Sequence, residues 1–481
     1  MRRLTLWIFL AAFASTVLAQ PTVTVSPKGG PPTEKAAVSG TGFGANQAVD
    51  IYFDTADVAL AATGPSGSFM GIHLTVPAPA TPGVHWISVV GRHSGLAAQA
   101  SFIVQTEWPQ FRRGPEHRGY NPTENILGVS SVGGLQQRWA ADPGYDHFVS
   151  SPVVANGLVY IMANRYGIFA YHAATGALAW TTFTAAYDAF SSPTVADGTV
   201  FVGQEDNQVH AFDAATGKQI WTATTGGPIY QSPTVAGGVV YVGSNDNKVY
   251  AFDAATGKTL WSTATGGSVQ CSPAVANGLV YVGSSDNKVY AFTTATGGFI
   301  WSASTGGMVQ SSPAVGNGVV FVGSDDNYLY AFSAGNGQQL WRAATSGGVS
   351  SSPAVANGVV YVGSQDGNLY AFNAATGQTL WSAATSGPIY SSPTVANGVV
   401  YIGSSPIYLL NFYAFNAATG QPLWTAGVGA WVSCSAAVAN GMVYVAEFNG
   451  ALYAFGLPPA SPTARPDPAS LQLDLTLLLQ H

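Results

Sequence analysis

Residues able to do chemistry are few in this sequence, and most recur at fixed intervals. Asp206, Asp246, Asp286, Asp326 and Asp366 stand forty residues apart, each followed by Asn or Gly. A carboxylate repeated in that way fits the hydrogen bonding of a tight turn. No Asp-x-Asp-x-Asp-Gly run gathers the oxygen ligands of a calcium loop. His147 follows Asp146, a pairing able to hold an imidazole for proton transfer, yet no Gly-x-Ser-x-Gly elbow or His-Glu-x-x-His zinc motif occurs. Glycine runs such as Thr225-Gly-Gly227 are not followed by a helical pattern, so they cannot cradle phosphate. The two cysteines, Cys271 and Cys434, each precede a serine of the same repeated element. A disulfide requires Cα atoms within about 7 Å, and cysteines on opposite sides of a ring are expected to stay free thiols.

The elements that would position these groups are written in the repeats. Trp139, Trp180, Trp221, Trp261, Trp301, Trp341, Trp381 and Trp424 mark a period of about forty residues, the signature of an array whose units bury their apolar faces against neighbours. Each period holds β-branched and aromatic runs, such as Val239–Val242 and Val249–Phe252, bounded by Asn-Gly, Asp-Asn and Thr-Gly turns. Four short strands per period make a propeller blade. The element Ser-Pro-x-Val starts at Ser151, Ser192, Ser232, Ser272, Ser312, Ser352 and Ser392 and returns as Ser435-Ala-Ala-Val438, which predicts eight blades. The last copy lacks its Leu-Trp strand, and Leu135–Trp139 ahead of the first copy is the spare. Pairing the two would close the ring and remove an exposed edge.

The run Ala211-Phe-Asp213-Ala-Ala-Thr216-Gly217-Lys-Gln-Ile-Trp221, repeated in full at Ala251–Trp261, resembles the tryptophan-docking motif of quinoprotein (PQQ-type) β-propellers. Other copies depart from it, with Asn373 and Asn416 for the aspartate and His172, Thr293 and Ser333 elsewhere. The opening Trp108-Pro-Gln-Phe-Arg-Arg-Gly114 is similar to the lead-in of secreted members. The resemblance covers roughly residues 107–456 and implies an all-β, eight-bladed propeller whose tryptophans lie flat on the neighbouring blade. It extends to the periplasmic propeller of the outer-membrane β-barrel assembly machinery, which is a lipoprotein; no lipid-bearing cysteine follows the leader here. Quinoprotein dehydrogenases of this type add adjacent cysteines, carboxylates around calcium and a catalytic Asp. The missing cysteine pair leads us to expect neither PQQ nor calcium, with a PQQ- and calcium-dependent oxidoreductase as the alternative.

Residues 1–19 read as a secretory signal, with Arg2 and Arg3 before an apolar stretch and Val17-Leu-Ala19 as the cleavage site. Residues 20–106 alternate apolar and polar, and Val38-Ser-Gly-Thr-Gly-Phe-Gly44 resembles bacterial Ig-like (IPT/TIG-type) modules, so a small β-sandwich is expected there. A lead-in at 107–134 and the propeller at 135–457 follow, then a Pro-rich linker and tail at 458–481. The formal charge of −7, with no basic stripe, excludes a nucleic-acid surface. Nothing after the leader reaches the length of a membrane span. The expectation is an extracytoplasmic monomer, secreted or periplasmic.

Function is sought where the repeats differ. Between each Trp and the next Ser-Pro the sequence varies: Tyr145-Asp146-His147, Tyr187-Asp188, Tyr230, Gln270, Gln310, Tyr390 and Trp431. On the family's strand order these segments enter the axial funnel, where they would form a binding site for a protein or small ligand or simply fill the channel. The reading is a non-catalytic binding or scaffold protein.

Overall fold

The computed structural model of the chain describes residues 20–142, 150–163, 167–184, 191–405, 411–447 and 451–458. Among them the only helical element is one 3-10 turn, Val132–Gly134; the rest of the regular structure is β. One compact unit ends at Gln105 and a second begins at Thr106.

The first unit has a three-stranded sheet (Thr22–Ser26, Lys35–Thr41, Phe69–Thr75) and a five-stranded sheet in the order Gly29–Gly30, Ala97–Val104, Gly83–Gly91, Ala48–Phe53, Ala56–Ala62. Val38 and Leu74 of the first and Ile51, Ile87 and Phe102 of the second share one core. Alternation places Ile103, beside Phe102, on the opposite and exposed face.

The second unit is a β-propeller. A representative sheet runs Thr234–Ala236, Val239–Ser244, Lys248–Asp253 and Thr259–Ala264, all antiparallel. Eight such four-strand sets are present among the described residues, and in the one that includes Thr394–Ala396 the short strand Tyr120–Asn121 adds a fifth, parallel strand. In the last, Gln136–Ala141 pairs with Leu452–Gly456, so a strand ahead of the first repeat completes the sheet of the last. The Val-Val-Tyr-Val and Val-Tyr-Ala-Phe runs are buried on both faces, which explains why they read as continuous apolar stretches.

Tryptophan joins each sheet to the next. The indole Nε1 of Trp221 donates to the Ala254 carbonyl at 3.0 Å, and Trp139, Trp180, Trp261, Trp301, Trp341 and Trp381 make the equivalent bond at 2.9–3.1 Å. Trp424 donates instead to Leu135, because the final sheet takes its outer strand from the N-terminal side and has no Thr-Gly turn there. The repeated aspartates are equally structural. Asp246 accepts the Lys248 amide within its own turn, the Tyr250 hydroxyl at 2.5 Å and the Gly226 amide from the preceding sheet's connection.

The indole also packs closely on the neighbouring sheet, against the glycine of a turn that is Asn336-Gly337 in one copy and Thr-Gly in the others. Gly337 has φ +71° and a Cβ there would lie 2.6 Å from the Trp301 ring, whereas Gly318, at φ +77°, has open space around it. Alanine at either position should lose about 1 kcal/mol for the left-handed backbone, and Gly337→Ala a further ~1–3 kcal/mol for displacing the indole. Thermal denaturation should therefore rank Gly337→Ala well below Gly318→Ala; equal melting temperatures would refute the stack.

Candidate functional site

The Ser-Pro-x-Val element begins the innermost strand of every sheet, so its residues face the axis. The serines form a closed circle. Ser151 N donates to Ser192 Oγ, Ser192 N to Ser232 Oγ, and so on through Ser272, Ser312, Ser352, Ser392 and Ser435, whose amide returns to Ser151 Oγ. All eight bonds measure 2.9–3.1 Å. A serine at this position is held because its hydroxyl accepts the neighbouring sheet's amide, which would otherwise be a buried unpaired donor.

Next to the circle, the lead-in winds once around the axis and touches each inner strand in turn. Trp108 exchanges backbone bonds with Val154, and Pro109 O accepts from Val195. The Gln110 side chain bonds both backbone groups of Val235. Carbonyls of Pro115, Glu116, Arg118 and Gly119 accept from Val275, Val315, Val355 and Val395. Asn121 Nδ2 donates to Val438 O at 2.8 Å. Every valine of the repeated element is thus engaged by one collar of residues 108–121. Its tight curvature puts Arg112, Arg113 and His117 at positive φ, which non-glycine residues seldom adopt.

The collar's charges answer a variation inside the repeats. Where x is threonine, its hydroxyl bonds the next sheet's carbonyl: Thr194 to Pro233 and Thr234 to Pro273 at 2.6 Å, Thr394 to Ala436 at 2.7 Å. Where x is Ala314 or Ala354, no hydroxyl exists, and Arg112 donates to the stranded Pro353 and Pro393 carbonyls instead. Beyond Ala274, the Pro313 carbonyl faces His117 more loosely, leaving His117 Nδ1 without a partner in hydrogen-bond range. Burial pulls the Arg112 guanidinium down to about 9, still protonated at neutral pH. Burial first, and the Arg112 charge second, push His117 down to about 3.

On the other side of the circle lies a cup of about 440 Å³, with Phe111 of the collar in its lining. Seven of the eight circle serines line it, with Tyr230, Gln231, Gln270, Gln310, Ser350, Tyr390, Ser433 and Cys434. Of the residues expected at the site, the cup thus brings together Tyr230, Gln270, Gln310 and Tyr390. Trp431 is half-exposed and is not in the lining. Tyr145, Asp146, His147, Tyr187 and Asp188 lie outside the described residues. Sequence reading missed the serine circle, the collar and Phe111. The available signals were three arginines within residues 112–118 of a chain with only 16 basic residues, and the Thr/Ala alternation at x.

Cys271 and Cys434 are buried, unpaired thiols. Cys271 occupies a slot that is serine in other copies: it accepts the Gly283 amide, as Ser311 accepts that of Gly323. Burial pushes both thiols up to about 12.

The residues from Thr106 onward therefore define the chain's larger part as a β-propeller. Residues 188–273 match the family of the outer membrane protein assembly factor BamB, and residues 236–410 match the β-propeller of the beta-alanine-activating enzyme. No curated protein sequence matches the chain. BamB from Moraxella catarrhalis is similar with a TM-score of 0.59 at 19% identity, over 68% of this chain and 99% of that one. The quinohemoprotein alcohol dehydrogenase ADHIIG from Pseudomonas putida HK5 gives 0.63 at 16% identity, over 75% and 82%. The computationally designed Ika8 protein gives 0.60 at 18%, over 67% and 100%. At these identities the likeness is one of fold.

A quinone cofactor with three carboxylates and a calcium ion needs cations and carboxylates around it. The described lining of the cup is uncharged, and no described group of three His, Cys, Asp or Glu side chains could hold a metal. The described residues do not fit that cofactor.

The collar makes acid stability testable. Unfolded His117 takes up a proton below about pH 6.5, while the folded state keeps it neutral down to about 3. Acid therefore favours the unfolded chain through this group by about 1.4 kcal/mol per pH unit across that window. Denaturant titrations from pH 7 to 4.5 should show a shallower loss for His117→Asn than for the natural chain; parallel losses would contradict the burial of a neutral imidazole. In parallel, iodoacetamide at pH 8 should leave both thiols unmodified in the folded protein and label both after unfolding.

Proposed function

We propose that the mature chain is an extracytoplasmic, non-catalytic binding protein that takes a ligand or a partner's protruding group into the axial cup of an eight-bladed, monomeric propeller. The observation that carries this reading is the cup's described lining: aromatic and amide side chains from different sheets converge there, with no base, activated nucleophile or metal-ligand set among them. A concave site with a few convergent polar groups is the usual form of a binding pocket. The match to BamB and the leader-like residues 1–19 support placement outside the cytoplasm. No helix of the described residues is long and apolar enough to cross a membrane. The unit before Thr106, read as an Ig-like module, would serve as a spacer, and residues 458–481 as a linker and tail. The second reading, a PQQ- and calcium-dependent dehydrogenase, draws on the similarity to the quinohemoprotein alcohol dehydrogenase.

A photo-crosslinking residue at position 390 should capture a partner in the native envelope or secretome. Adding Tyr230→Ser to that protein should weaken capture at position 390 by tenfold or more, as loss of an aromatic anchor does, while leaving the melting temperature nearly unchanged. A matching loss of stability would make the Tyr230 side chain core. Addition of PQQ and calcium should give no dye-linked oxidation of alcohols or aldoses. Turnover abolished by Asp188→Asn or His147→Asn would establish the dehydrogenase instead.

A further inference from the structure

We propose that the cup recognises the end of a neutral, hydroxyl-rich ligand, a terminal saccharide unit, and takes it end-on; this rests on the reading of the cup as a binding site.

Serine hydroxyls, glutamine amides and tyrosine phenols each donate and accept. A cation would be met by charged acceptors, and an anion by a positive charge; the described lining has neither. An apolar ligand would leave the lining polar groups stripped of water and unpaired, at a cost of about 1–3 kcal/mol each. Sugar hydroxyls have the same dual character as the lining and can pair with it in either sense.

The serine and glutamine groups are also available. Each circle serine uses its oxygen to accept an amide from its neighbour, and its own proton has no acceptor among the described residues. An oxygen already accepting a bond is polarised into a better donor. The side-chain amides of Gln231, Gln270 and Gln310 likewise make no hydrogen bond among the described residues. The three come from consecutive inter-sheet connections, so they form an arc on one wall.

Phe111 presents an apolar ring inside an otherwise polar cup, and Tyr230 and Tyr390 add aromatic surface. Sugars have C–H faces as well as hydroxyl edges, and this wall offers both partners. The volume of about 440 Å³ lies within the usual small-molecule range of about 300–1,000 Å³, enough for one or two sugar rings. Phe111 of the collar forms part of the lining, and the buried Arg112 and His117 side chains beside it bridge to the inner strands of three sheets; with the collar side filled in this way, a glycan would enter the cup by its end.

The test uses the secreted full chain. Saturation-transfer NMR and calorimetry are run against maltotriose, cellotriose, chitotriose and mannotriose, their hexameric homologues, and a galacturonate trisaccharide. The expected result is one-to-one binding of at least one neutral trisaccharide, with its hexamer bound no more than about threefold more tightly. Gln270→Ala with Gln310→Ala should reduce the affinity tenfold or more at an unchanged melting temperature. Absence of binding by every neutral sugar, binding of the uronate alone, or full affinity in the double variant would each overturn the proposal. If capture at position 390 persists while no sugar binds, only this inference fails; if both are lost, the binding reading fails with it.

Discussion

Everything in the propeller depends on closing a circle of near-identical units, and the serine circle is where that closure is expressed in single hydrogen bonds. Each unit gives one amide and receives one at its serine, so the circle is saturated only when the last returns to the first. Ser435 N does so by donating to Ser151 Oγ across a sequence separation of 284 residues. An interrupted circle would leave an amide and a hydroxyl buried without partners, each costing about 1–3 kcal/mol. The sheet shared by Gln136–Ala141 and Leu452–Gly456 supplies the same closure at the periphery.

Near-identical units create a second difficulty, which the collar resolves. Repeats that resemble one another so closely have little in their own sequence to say which is fourth and which is sixth. The residue between Ser-Pro and Val breaks that degeneracy. Threonine lets a unit satisfy its neighbour's carbonyl, while Ala314 and Ala354 leave carbonyls that only a long donor from elsewhere can reach. Arg112 reaches two at once, and the absence of a Cβ at Gly119, which would lie 2.2 Å from the guanidinium, makes room for it. A buried cation normally demands a carboxylate; here carbonyl dipoles meet it.

The sequence made the strands, their order within a repeat and the peripheral tryptophans legible, because these are written many times and each copy corroborates the rest. Pairing of Gln136–Ala141 with the last repeat was legible for the same reason, as the complement of a missing piece. The collar was not, because its interactions are unique and run from backbone carbonyls to valines over a hundred residues away. No local pattern announces a carbonyl. For the cup, Tyr230, Gln270, Gln310 and Tyr390 of the variable connections line one cavity, whereas Phe111 and the serines were hidden. The serines served only to count repeats, because a residue present in every copy looks structural even when one side of it faces a cavity.

That last point bears on what such a fold can do. Positions fixed by closure cannot be freely varied to make a site, so each unit offers the axis a constant serine and one variable connection. The constant part gives the cup a uniform ring of neutral hydroxyls; the variable part gives it amides on one wall and aromatics at intervals. Chemistry requiring charge must come from the variable connections alone. In the described ones the chain places glutamine, tyrosine and serine, whose hydrogen bonds need no change of protonation. On the binding function proposed above, a site built that way would hold a ligand and release it unchanged, over the whole pH range in which the ring stays closed.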